Sequence, residues 1–122
     1  MMKLYQEMNA REKIIHDHGG TQLTDDVNHP VRRYFRCWLD GSYNGEQHYR
    51  RNCDFVRRNH NNHSIMRQFV VSEFCQYVAR EYDISTEYAK TCVSESMSSS
   101  RFLLLTNQLV DDALDLVDFE EE

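Results

Sequence analysis

Few residues in this chain can reverse its direction. One proline (Pro30) and four glycines are spread over 122 residues, whereas a sheet of many short strands needs turn-formers at regular intervals. The scarcity predicts helices joined by short links. The clearest helix opens at Pro30, a first-turn position where the missing N–H has no partner to lose. Val31, Tyr34, Phe35, Trp38 and Leu39 then fall at i, i+3, i+4, i+7 and i+8 and make a complete apolar stripe. Gly41 follows as a C-cap.

Five more helices complete the expected fold. The first covers 2–16, with Leu4, Met8 and Ile15 on one side and Gly19-Gly20 as its stop. The third covers 46–58, with Tyr49, Cys53 and Val56 on one face. The fourth, at 65–82 behind an N-cap at Ser64, carries Met66, Phe69, Val70, Phe74, Tyr77 and Val78 and is expected to be central. A fifth at 86–97 offers Ala89, Cys92 and Val93. The sixth, at 101–117, is rich in leucine, and 118–122 form a frayed acidic end. At 40% apolar residues the chain can bury a core without disulfides or metal. The expectation is an all-α, compact single-domain bundle of about six helices spanning 1–122. Tyr34, Trp38, Phe69, Phe74 and Val78 are expected to share its core.

No apolar run approaches the ~18 residues of a membrane span. The opening Met1-Met2-Lys3-Leu4-Tyr5-Gln6-Glu7 lacks the layout of a signal peptide. A cytoplasmic protein without membrane partners is expected, with Cys37, Cys53, Cys75 and Cys92 as reduced thiols.

Charge is distributed unevenly. Residues 1–60 carry ten Lys/Arg against eight Asp/Glu, and residues 61–122 carry four against twelve, so the halves stand at +2 and −8 within a net charge of −6. Such asymmetry bears on partners rather than on fold. Between Val31 and Arg67 there are eight arginines, three acids and no lysine. Arg32, Arg33 and Arg36 lie largely off the stripe of the second helix. Arg50 with Arg57, and Arg51 with Arg58, are seven apart and share an outer face of the third. Guanidinium forks grip phosphate or carboxylate in pairs of hydrogen bonds, so this face is a candidate surface for nucleic acid, for an acidic protein, or for the chain's own acidic end. That end is the opposite pole: from Phe102 to Glu122 there are seven acids and no base. Asp111, Asp112, Asp115 and Asp118, with Leu114, Leu116 and Phe119, form a candidate docking helix for a partner's groove.

Motifs for catalysis are missing. There is no G-x-S-x-G elbow, phosphate loop or dinucleotide fingerprint, so an enzyme is not expected. Cys37, Cys53, His60 and His63 have the donor types of a Cys₂His₂ zinc site, and His16-x-His18 could add to them. Fifteen residues separate the two cysteines, where zinc fingers use about two to four. No metal and no cofactor are expected.

Residues 76–93 have the form of a helix-turn-helix. Ala79 sits where the helices cross, Ile84 plugs the turn, Ala89 and Cys92 face inward, and Asp83 stands where glycine is usual. The second helix exposes Thr86, Glu87, Lys90, Thr91 and Ser94 without the basic field of a DNA reader, which favours a packing motif. From Phe74 onward, the helix, the Ile84-Ser85 turn, the short helix and the terminal Ala113-Leu114-Asp115-Leu116-Val117-Asp118-Phe119 faintly resemble the late-transcription coactivators of T4-like phages; residues 1–73 take no part. The resemblance implies contact with RNA polymerase and an acidic, apolar C-terminus directed at a sliding clamp. The expected function is therefore that of a small non-enzymatic regulatory or inhibitory protein. It would act by protein–protein contact on transcription or other DNA-handling machinery. Direct nucleic-acid binding by Arg32, Arg33, Arg36, Arg50, Arg51, Arg57 and Arg58 and the helix-turn-helix-like segment is the alternative.

Overall fold

A computed structural model describes residues 3–18, 28–96 and 99–117, and the expected all-α bundle is what they form. After a 3-10 turn at Tyr5–Glu7 come six helices: α1 (Ala10–His18), α2 (Pro30–Leu39), α3 (Glu46–Asn59), α4 (His63–Tyr82), α5 (Thr86–Ser96) and α6 (Ser99–Leu114). No strand occurs among the described residues. No helix among them is long and apolar enough to cross a membrane. The expected Gly19-Gly20 stop and the frayed end at 118–122 lie outside the described residues.

The first helix is shorter than its stripe suggested. Asn9 caps α1 by accepting the Glu12 N–H at 2.8 Å, while the Glu12 carboxylate accepts the Asn9 N–H at 3.3 Å. This reciprocal cap fixes the start at Ala10, and the preceding chain only reaches a 3-10 turn. Starting there also changes the buried face. Ile14 is buried, whereas Leu4 and Ile15, expected on the apolar side, are exposed. At α4 the cap is Asn62 rather than Ser64, its side chain accepting the Ile65 N–H at 3.1 Å, so the helix begins at His63.

On α2, Pro30 occupies the first turn as expected, and Val31, Phe35, Trp38 and Leu39 are buried. Tyr34, expected in the core, is instead 41% exposed. The helix is turned so that Arg32 rather than Tyr34 flanks the Phe35–Leu39 edge, because that edge packs on α6. Gly41 has φ +89°, and a Cβ there would stand 2.7 Å from the Gly45 carbonyl oxygen. That left-handed, crowded position is one that glycine fills without strain.

The long helix α4 lies against α2, α3, α5 and α6, and it buries Met66, Val70, Phe74, Tyr77, Val78 and Ala79. Phe69, also expected in the core, is half-buried and stacks on Phe55 at 4.5 Å between ring centroids. Asp83 ends α4 in the left-handed region (φ 54°, ψ 53°), and its N–H returns to the carbonyls of Ala79 and Arg80. Aspartate tolerates that conformation better than most residues. Ala89, Cys92 and Val93 of α5 and Leu105, Leu109, Val110 and Ala113 of α6 complete the core. The cysteines are free, with Cys53, Cys75 and Cys92 buried.

One ion pair lies inside this core. The Arg32 guanidinium donates from Nε to Asp112 Oδ2 at 3.0 Å and from Nη2 to Oδ1 at 2.7 Å, and the two residues are 6% and 1% exposed. Burial pushes the Asp112 carboxyl above its ordinary value, against the opposing pull of Arg32 and, farther off, Arg36. Removing one member of such a pair leaves a buried charge without a partner and costs about 3–5 kcal/mol. The whole domain has about 5–15 kcal/mol of stability to lose. Arg32→Ala should therefore lower the unfolding free energy by that order in urea titrations. The paired substitution Arg32→Met with Asp112→Leu should recover most of it. A single variant as stable as the wild type would remove the pair from its structural role.

Candidate binding surfaces

The seven arginines proposed as one face divide into three groups. Arg32 is withdrawn into the core on Asp112. Arg36 is half-buried, and Arg33 is exposed, with its guanidinium over the Tyr34 ring at 5.3 Å. The four on α3 remain together in solvent. Arg50 pairs with Glu46 at 2.8 Å and Arg57 with Asp54 at 3.7 Å, and Arg51 donates to His48 Nδ1 at 3.1 Å. Exposed pairs of this kind contribute about 0–1 kcal/mol, so a stronger anion could displace them.

The candidate docking helix is divided as well. Asp111 and Asp115 are exposed, Leu114 and Leu116 are half-buried against the core, and Asp112 is buried; Asp118 and Phe119 lie outside the described residues. The helix-turn-helix-like segment has its left-handed Asp83 and its buried Ala89 and Cys92. However, α1 packs along α5, and Arg11 of α1 holds Glu95 at 2.7 Å. A helix covered on one flank, with Glu95 engaged there and Glu87 exposed, presents little cation to a phosphate backbone.

Zinc-type donors do not gather. Cys53 is buried and Cys37 half-buried, while His63 is exposed with Nε2 at 3.3 Å from Asn107 Oδ1. Among the described residues no three His, Cys, Asp or Glu side chains are placed to hold a metal ion.

Two features were missed from sequence. The first is an apolar groove where α4, α5 and α6 meet. Two adjoining cavities of about 440 and 490 Å³ share Val71, Lys90 and Phe102, with Leu103 and Arg67 at one end. Leu103 and Leu104 are 49% and 55% exposed. Neither Arg67 nor Lys90 makes an ion pair among the described residues. The leucine run was legible, but which leucines turn outward depends on the packing of α6.

The second feature is a polar network where α1 meets the end of α4. Asp17 Oδ2 accepts the hydroxyl protons of Tyr5 at 2.9 Å and Tyr82 at 2.5 Å, and His16 Nδ1 donates to Oδ1 at 3.0 Å. Burial works to raise the Asp17 carboxyl, but the hydrogen bonds from Tyr82, His16 and Tyr5 outweigh it and hold the group below its usual range. Burial, reinforced by Asp17, pushes the Tyr82 phenol strongly upward, so it keeps its proton. His18 is 8% exposed, and burial depresses its pKa below 6.5 despite the pull of Asp17. A carboxylate only accepts, so the Tyr82 proton belongs to Asp17 and the Tyr82 oxygen is left to accept from His18 Nε2 at 3.4 Å. Neutral His18 therefore has its lone pair on Nδ1, which is buried and has no partner. The pattern is not readable in sequence, since Tyr5, Asp17 and Tyr82 come from three separate elements.

The network has a pH signature. A depressed His18 pKa means that the folded state binds fewer protons than the unfolded chain. Its contribution is full above pH 6.5 and is lost as the pH falls from there through the depressed value. Asp17 acts in the same sense at lower pH, below its ordinary 3.8. Urea unfolding followed from neutral to mildly acid pH should show stability falling, and His18→Phe, which keeps a ring against Phe74, should flatten that slope. An unchanged slope in the variant would place the proton uptake elsewhere.

Comparison of the chain with protein-family models, with curated proteins and with solved structures finds no match.

Proposed function

We propose that this chain is a non-enzymatic binding protein of regulatory or inhibitory type, which acts by contact with another protein through the α4–α5–α6 groove. The observation that carries this reading is the exposure of Leu103 beside the cations Arg67 and Lys90, which have no ion pair among the described residues; Leu104, next along α6, is exposed too. Contiguous exposed apolar surface marks contact sites. A basic rim on a chain of net charge −6 favours a partner segment that is both apolar and acidic, as when an amphipathic helix lies in a groove. The polar groups of the groove are the cations Arg67 and Lys90, several hydroxyls, the Gln68 amide, the buried Cys75 thiol, and Glu95, which is held by Arg11. The faint resemblance of the chain from Phe74 onward to phage late-transcription coactivators is what favours a partner within transcription machinery.

Direct nucleic-acid binding is the second reading. It is favoured by the exposed quartet Arg50, Arg51, Arg57 and Arg58 on one helix, whose weak ion pairs phosphates could replace.

Two variants with wild-type melting behaviour separate these readings. One combines Lys90→Glu with Leu103→Ser; the other replaces the four α3 arginines with alanine. The captured protein partner should be lost from the groove variant and kept by the arginine variant. Arg67→Glu should slow association, and the effect should shrink as salt rises. Duplex DNA should bind weakly near physiological salt. Capture indifferent to the groove, or tight and salt-sensitive DNA binding abolished in the arginine variant, would reverse the order of the two readings.

A further inference from the structure

The α4–α5–α6 groove sets exposed Leu103 and half-buried Phe102 beside Arg67 and Lys90, two cations with no ion pair among the described residues. Apolar surface with a basic rim fits a segment that is itself apolar and acidic. The chain contains such a segment. Residues 118–122 are Asp118, Phe119, Glu120, Glu121 and Glu122, four carboxylates around one aromatic ring, and no base lies between Phe102 and Glu122.

Geometry denies this segment the groove of its own molecule. Leu103 stands eleven residues before Leu114 on α6, a separation of about 17 Å along the helix axis. Beyond Leu114 the chain keeps that direction, because the Leu116 and Val117 N–H groups bond back to the Ala113 and Leu114 carbonyls at 3.1 and 3.4 Å, and Val117 is buried. Phe119 follows Val117 by two residues, which span at most about 7 Å when fully extended. Within one copy it therefore stops well short of Leu103. A second copy has no such limit.

Each copy carries one groove and one acidic end, at opposite ends of α6. Two copies can exchange them about a two-fold axis, and the pair then closes on itself. A five-residue contact is small, but two contacts made together reinforce each other. The net charge of −6 sets copies against each other at long range. Physiological salt screens that repulsion beyond about 8 Å, whereas the opposite charges in the groove meet at contact.

We propose that the groove receives residues 118–122 of a second copy, so that two copies pair by reciprocal exchange of their acidic ends. Phe119 lies on Val71, Phe102 and Leu103, and the carboxylates beside it meet Arg67 and Lys90. The inference rests on the reading of the groove as a contact surface. It adds that the chain itself supplies the first occupant, which any other partner has to displace.

Sedimentation velocity of the full-length protein across a wide concentration range tests the exchange. The wild type should pass from monomer to dimer as concentration rises. One variant reverses the acidic end (Glu120→Lys, Glu121→Lys and Glu122→Lys), and the other reverses the groove (Arg67→Glu and Lys90→Glu). Each alone should raise the dimer dissociation constant about tenfold or more, since every exchanged contact then sets like charges together. An equimolar mixture of the two should dimerise again, because each end then meets a groove of opposite sign. A misfolded variant could not give that recovery. A wild type that stays monomeric throughout overturns the inference, as does a dimer indifferent to both variants or a mixture that remains monomeric. The proposed function fails separately. If the exchanged dimer forms but Lys90→Glu with Leu103→Ser leaves partner capture intact, the groove serves self-association alone. If the wild type is monomeric and that variant still loses the captured partner, the proposed function stands without the dimer.

Discussion

Arg32 and Asp112 are 80 residues apart in the chain and meet in the interior between α2 and α6. Taking two charges out of water costs several kcal/mol per ion, and only good geometry with both hydrogen bonds formed offsets it. The paired bonds leave the two helices one relative setting. Phe35 and Leu39 then turn inward with Arg32, Tyr34 is rotated out toward the cleft, and α6 presents Leu105, Leu109, Val110 and Ala113 to the core. With those positions committed, Leu103 and Leu104 have nowhere to go but solvent. The exposed groove is thus a consequence of a buried charge pair about two helical turns away.

Other polar groups in the core act in the same directional way. Trp38 Nε1 donates to the buried Glu73 at 3.0 Å, fastening α2 to the middle of α4. Asn52 of α3 caps the end of α2 through the Leu39 carbonyl at 3.0 Å. Tyr82 and Tyr5 converge on Asp17 and hold α1 to the end of α4. Apolar contacts between helices tolerate sliding and rotation, whereas a hydrogen bond from one named atom to another does not. Each tie removes an alternative packing that the apolar stripes alone would allow.

Charge sorting links this interior to the surface. The basic and acidic poles of the chain neutralise each other at one buried pair, and α3 keeps its arginines near Glu46 and Asp54. What remains without an ion pair among the described residues is more telling than the totals: Arg67 and Lys90 beside apolar surface, and Glu81 and Asp83 beside tyrosines.

The helices themselves were legible because periodicity and scarce turn residues act locally. Pro30, Gly41 and the Val31–Leu39 stripe defined α2, and the boundaries of α3, α5 and much of α4 followed in the same way. The split of the first helix was also written in the chain, as the Asn9–Glu12 capping pair, a signal masked by an apolar spacing that looked continuous. The candidate groove and the polar network around Asp17 were beyond that reach. Whether an arginine is a surface contact or a buried tether depends on a carboxylate 80 residues away, and whether His18 has a free lone pair depends on where Tyr82 sends its proton. Local periodicity determined which segments are helical and roughly which sides are apolar. The rotation of each helix, and with it every unpaired charge and open acceptor, was decided only by tertiary packing, because those settings come from pairwise geometry between residues that the linear pattern does not bring together.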